Sequence, residues 1–293
     1  NDAIVNARPF AYGATNEYFN IFADSLEAFR LPAEADLLCD IVTERLDDMV
    51  PYRNEMLDVV KNICIYTDDQ RYGELLHGFF EKVLQYYYPP VGVSRWNEAE
   101  LDIFRYFGWE AFLHVASQIF HSRRADLFQA LTYSPYVCDR APHFSRQSID
   151  VYDIFNRQFK LFQYRNQKKG IRRYEPEADL IKERADMSPN TFDQIMEVDF
   201  LLYLRGRLTG AMWHPRTLVY SSSRWAQPFP SFVRSQSKRE FEKLKVFLGI
   251  SDKSALDEFM SFVAKGNGWV PRWDFDRLDP SLLANHEKLC TSP

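Results

Sequence analysis

Glycine is scarce in this chain: 11 of 293 residues, against roughly 7% in average globular proteins. Positive-φ turns, phosphate-cradling loops and close backbone approaches all draw on glycine. The chain contains no Gly-x-Ser-x-Gly, Walker loop, dinucleotide fingerprint or His-Glu-x-x-His, which argues against nucleotide hydrolysis and nucleophile-elbow chemistry. Cysteine is sparse as well. Cys39, Cys64, Cys138 and Cys290 stand far apart with no C-x-x-C pair, a pattern of free thiols rather than a zinc site or disulfide framework. No apolar run approaches the roughly 18 residues of a membrane span. The opening Asn1-Asp2-Ala3-Ile4-Val5 lacks the basic and apolar regions of a signal peptide. These features predict a cytoplasmic chain without membrane contact, and the absence of an initial methionine predicts a piece of a longer polypeptide.

Aromatic residues are plentiful: 24 Phe, 16 Tyr and 6 Trp. With so little glycine, they predict a large core of helices with bulky faces. Tyr18, Phe22, Leu26 and Phe29 recur at three- and four-residue steps, as do Leu37, Leu38, Ile41, Val42, Leu46 and Met49. Further stripes run through Met56–Cys64, Leu75–Leu84 and Phe104–Ile119, with Pro32, Pro51 and Pro89-Pro90 as stops. Thr67-Asp68-Asp69-Gln70 and Ser237-Lys238-Arg239-Glu240 have the form of capping boxes. The fold expected is mainly α, a multi-helix bundle or stacked helical array, with at most a short β element near 215–221, where Thr217-Leu218-Val219-Tyr220 reads as a strand. The turn-rich stretch 133–148 predicts a boundary between an acidic helical subdomain, 1–132, and a basic one, 149–293, whose tail after Gly266 is irregular and anchored by Trp269 and Trp273. The two subdomains are free to pack as one.

Charge is unevenly spread. Residues 1–110 carry 20 acidic and 9 basic side chains, and residues 155–250 carry 18 basic and 10 acidic. Arginine outnumbers lysine 24 to 12, which favours bidentate and stacking contacts. Basic residues interleaved with aromatics mark the candidate binding surface: Arg165, Lys168, Lys169, Arg172, Arg173, Arg205, Arg207, Trp213, His214, Arg216 and Trp225. Arginine neutralises phosphates or carboxylates, and aromatic faces stack bases. The same basic region is also suited to packing on the acidic N-terminal half or on another subunit.

Two arginine–histidine pairs, Arg71 with His77 and Arg207 with His214, match the spacing of helical metal-independent ribonucleases. There an arginine steadies the phosphate while a histidine moves the 2′-hydroxyl proton. With 24 arginines and six histidines, such pairs also arise by composition alone. Glu110, His114 and His121 share one helical face, but the two imidazoles are about 10 Å apart along the axis, too far to hold one ion. Asp274, Asp276 and Asp279 lack the glycine and terminal Glu of a calcium loop. The segment Leu201-Leu202-Tyr203-Leu204-Arg205 through Trp213-His214-Pro215-Arg216-Thr217-Leu218-Val219-Tyr220 resembles helical regions of large bacterial proteins that follow an effector or sensor domain. The reading is therefore a non-catalytic helical binding, scaffolding or sensor module of a larger bacterial protein. It needs no cofactor or metal, and its partner is a protein, a neighbouring domain or nucleic acid. A ribonuclease using an Arg/His pair is the alternative.

Overall fold

The computed structural model describes residues 1–31, 39–93, 96, 98–140, 151–221, 226–273 and 276–293, without the side chains of residues 39, 40, 99, 163–165, 168, 169 and 276. The chain divides into two compact units, Asn1–Thr191 and Phe192–Pro293. The first contains α1 (Asp2–Val5), α2 (Ala11–Ser25), α3 (Cys39–Asp48), α4 (Val50–Tyr66), α5 (Arg71–Leu84), α6 (Glu98–His121), α7 (Ala125–Tyr133), α8 (Lys160–Lys169) and α9 (Pro176–Glu183). The second contains α10 (Phe192–Thr209), α11 (Pro230–Arg234), α12 (Lys238–Leu248), α13 (Ser254–Ala264) and α14 (Pro280–Leu283). The mainly α architecture follows the periodic stripes. Among the described residues no helix is long and apolar enough to cross a membrane.

The organising element of the first unit is α6. Every residue from Leu101 to Phe120 is buried, the apolar ones around the whole helix and Asp102, Arg105, Glu110 and His114 with polar partners. It packs against α3, α4, α5, α7 and α8. Gly108 lets Tyr87 cross it closely: a Cβ at Gly108 would lie 2.1 Å from the Tyr87 hydroxyl. Around α6, Phe112, Phe155 and Phe80 contact one another, with Tyr136 edge-on to Phe155. The abundant aromatics of this unit thus largely form core.

The two compact units divide in sequence between Thr191 and Phe192. Helix α8 packs on α3 and α6, and α9 follows α8, so the basic stretch after residue 155 begins inside the first unit. Residues 141–150 lie outside the described residues.

In the second unit α10 is the buried axis, packed by α12 and α13. The strand expected at Thr217–Tyr220 is instead a 3-10 turn, Arg216–Tyr220. Its cause is local. The Thr217 backbone N–H and hydroxyl both donate to Asp199 Oδ2, at 2.8 and 2.7 Å, which turns the backbone inward. The antiparallel pair lies elsewhere, β1 (Arg272–Trp273) against β2 (Asp276–Arg277). Neither expected capping box closes. Thr67 Oγ1 accepts from the N–H of Asp69 and Asp69 Oδ1 from that of Arg71, while the Ser237 hydroxyl donates to the carbonyl of Pro293.

Candidate functional site

In the second unit a half-exposed tryptophan meets an arginine, a histidine and a tyrosine from two other segments of the chain. Tyr203 and Arg207 lie one turn apart on α10, on one face. The chain leaves α10 through Gly210, at φ 93°, and places His214 beside the same region. It returns from α13 through Gly266 and Gly268, at φ 79° and 75°, and sets down Trp269. The Arg207 guanidinium carbon lies 4.9 Å from the Trp269 ring centroid and 5.8 Å from that of Tyr203. Arg207 Nη2 and the Tyr203 hydroxyl both donate to the Trp269 carbonyl, at 3.2 and 3.1 Å. The His214 ring lies 5.4 Å from Trp269 and 6.4 Å from Trp273. Trp269 remains 44% exposed.

Two further arginines, Arg272 and Arg277, stand on the strand pair that carries Trp273. Burial pushes the Tyr203 phenol up to about 12, against the opposing charges of Arg207 and Arg277. Arg277 stands directly across the β pair from Arg272, and both are exposed. Like charges facing each other across a ladder repel. The surface therefore carries positive charge beside an indole face, a combination that accepts carboxylates or phosphates and stacks flat groups.

No family model, curated protein or solved structure matches this chain. The geometry alone thus carries the functional argument. Of the residues expected at a binding surface, Arg207 and His214 meet at Trp269. Arg205, Trp213 and Arg216 do not belong to it, being 1%, 2% and 3% exposed. Arg205 donates to the carbonyl of Phe247 at 2.8 Å, and the Trp213 indole N–H donates to Asp199 Oδ1 at 2.6 Å. Burial pushes the Asp199 carboxyl up to about 6 against the Trp213 and Thr217 hydrogen bonds and the nearby charge of Arg216. These residues build the interior that holds α10. Arg172 and Arg173 are exposed in the first unit, where Arg173 pairs with Asp179 at 3.2 Å. The side chains of Arg165, Lys168 and Lys169, and all of Trp225 and Asp274, lie outside the described residues.

The other arginine–histidine pair is split. Arg71 is bound to Asp69 through two guanidinium nitrogens and lies over the Tyr12 ring. His77, six residues on, stacks on Tyr136 with ring centroids 4.1 Å apart. Six residues is about 240° of helical rotation, so the two side chains leave α5 in different directions.

Glu110 and His114 enter a buried polar network in the first unit. Arg53 Nη1 meets Glu110 Oε1 at 2.5 Å, and Arg184 lies 3.8 Å from Glu110 Oε2 while binding Asp47. His114 Nδ1 faces Ser188 Oγ at 3.0 Å and Asn190 Nδ2 at 3.2 Å, and Asn190 also donates to the His114 carbonyl. Burial, aided by Arg53, holds the His114 pKa well below the usual imidazole range. Its Nε2 is buried without an acceptor, so no carboxylate orients the ring as a Ser–His relay requires. The network fastens residues 184–190 to α4 and α6.

Sequence reasoning missed Arg272 and Arg277 as members of the surface and treated Trp269 as a tail anchor. The signal available was compositional: an Arg-Trp dipeptide and a Gly-x-Gly-Trp segment in an otherwise glycine-poor chain.

Proposed function

We propose that this chain is a non-catalytic helical binding module whose C-terminal unit presents the Arg207–Trp269 surface to an acidic partner. One observation carries the reading: Arg207 and His214 converge on Trp269, which lies far along the chain, with the indole still half exposed. Arginine and tryptophan are the residue types enriched among binding hot spots. The test is to titrate labelled polyglutamate and oligothymidine against the wild type, Arg207→Glu and Trp269→Ala at low and moderate salt. The reading expects salt-sensitive binding of an anionic probe, weakened by about tenfold, or 1.4 kcal/mol, in Arg207→Glu. No binding of either probe at low salt would overturn it. Nuclease chemistry is the second reading, favoured by the meeting of Arg207 and His214 on one ring. RNA cleavage by the wild type that disappears in His214→Ala is its expected result, and cleavage that survives this change removes it.

A further inference from the structure

We infer that the Arg207–Trp269 surface extends into a mixed basic and apolar face, from Met212 to Phe262, that docks an amphipathic acidic segment of a protein partner. This rests on the reading of that surface as a partner site and names the class of its partner. Direct contacts make the face continuous. Arg207 Nη1 donates to Met212 Sδ at 3.6 Å, and the guanidinium carbon lies 4.9 Å from the Trp269 ring centroid. Gly268, which precedes Trp269, lies against the Phe262 ring, where a Cβ would stand 2.9 Å from Phe262 Cδ1. Met212 is 64%, Trp269 44% and Phe262 51% exposed.

Single exposed apolar residues are ordinary on a protein surface, but a contiguous group of them marks an interaction site. The residue types gathered here, Met, Trp, Phe and Arg, are those enriched where proteins meet. Charge then selects the sign of the occupant. Segments 207–214 and 262–269 carry Arg207 and Lys265 and no Asp or Glu. The nearest acidic residue along either segment is Glu258, one helical turn before Phe262. Two Arg207 N–H groups go to Met212 and to the Trp269 carbonyl. The guanidinium pairs with no carboxylate among the described residues, and its remaining donors suit one. A segment that lays an apolar side chain on Met212 and Phe262 and a carboxylate on Arg207 meets both demands, and methionine adapts its shape to the incoming group. Nucleic acid is the poorer match. Residues 192–293 hold 14 basic and 12 acidic side chains, whereas affinity for a polyphosphate grows with the number of phosphates neutralised.

The experiment uses the whole chain and a short fluorescein-labelled helical peptide with leucine and glutamate on one face, read by anisotropy. Controls are polyglutamate of equal length, the same peptide with lysine for glutamate, and oligothymidine. The wild type is expected to bind the leucine–glutamate peptide about tenfold more tightly than polyglutamate or the lysine peptide. Met212→Gln with Phe262→Ser is expected to remove that advantage, weakening the leucine–glutamate peptide about tenfold while polyglutamate binds as it does to the wild type. Met212→Gln alone, at the most exposed of the three apolar side chains, is expected to weaken it about threefold, and it decides the point if circular dichroism shows the double variant unfolded. Arg207→Glu is expected to weaken both acidic probes. Equal affinity for the leucine–glutamate peptide and polyglutamate, an equal loss of both in the apolar variants, or tighter binding of oligothymidine overturns the apolar docking face. If polyglutamate binding is then still salt-sensitive and weakened in Arg207→Glu, the surface reading stands and only the docking face falls. If no anionic probe binds, both fall.

Discussion

Arg53 and Glu110 form an ion pair inside the first unit, at 2.5 Å, joining α4 to α6 across 57 residues of sequence. Both side chains are almost wholly buried. Desolvation makes the pair a weak source of net stability, but removing one partner strands a charge in the interior. Arg53→Met is therefore expected to destabilise the fold by about 3–5 kcal/mol. The double change Arg53→Met with Glu110→Leu should recover a large part of that loss, because it removes both charges together. Urea unfolding of the two variants checks this, and equal losses in single and double variants would contradict it.

Tyr87 and Gly108 define a second point of tight fit. Alanine at an exposed helix interior gains up to about 1 kcal/mol over glycine. At Gly108 the new Cβ would meet the Tyr87 hydroxyl at 2.1 Å and its Cζ at 3.0 Å, so overpacking dominates. Gly108→Ala is expected to cost about 1–3 kcal/mol. Tyr87→Phe removes the closest atom at the expense of the hydrogen bond to the Arg105 carbonyl. In the pair Tyr87→Phe/Gly108→Ala the losses should sum to less than the two singles. Thermal unfolding of the three variants measures that coupling, and strict additivity would refute the contact.

The helical stripes were legible because periodicity is a local property: Phe22 on α2 and Leu26 in the turn that follows it, and Leu75, Phe79 and Val83 on α5, are buried as their spacing implies. Burial of charged residues is not local. Arg205, Arg207 and Arg216 look alike in a row of arginines and aromatics, yet Phe247, far along the chain, draws Arg205 inward while Trp269 keeps Arg207 at the surface. The pairing of Arg272 with Arg277 depends on strand register, which the aspartate-rich run 274–279 does not announce. Thr217 has the β propensity expected of it, but its two bonds to Asp199 override that preference.

His114 confers a pH response on the first unit. The folded state keeps this imidazole neutral, with a pKa well below its ordinary 6.5, while the unfolded chain takes up a proton near its ordinary value. Stability from this group is thus intact above about pH 6.5 and falls as pH drops through and below it. Hydrogen exchange of α6 amides, corrected for intrinsic rates, should show less protection near pH 5 than near pH 7. His114→Asn should lose that difference. An unchanged pH response in the variant would assign the effect to other groups.

Asp199 gives α10 the opposite response. Its folded pKa is raised from 3.8 to about 6, by burial. The folded state therefore holds a proton that the unfolded chain has released, and this contribution is full at and below the unfolded value and lost as pH rises through about 6. The shift corresponds to roughly 3 kcal/mol. Asp199→Asn cannot reproduce the arrangement, because its amide NH₂ must face either the Trp213 N–H or the Thr217 N–H, both donors to the native carboxylate. The variant is expected to be less stable throughout. The decisive reading is the slope: protection of α10 amides should decline between about pH 4 and pH 7 in the wild type and stay level in Asp199→Asn. A wild-type profile that runs level with the variant over this interval would show that the carboxylate is already ionised in the fold, held so by Arg216 and the hydrogen bonds from Trp213 and Thr217.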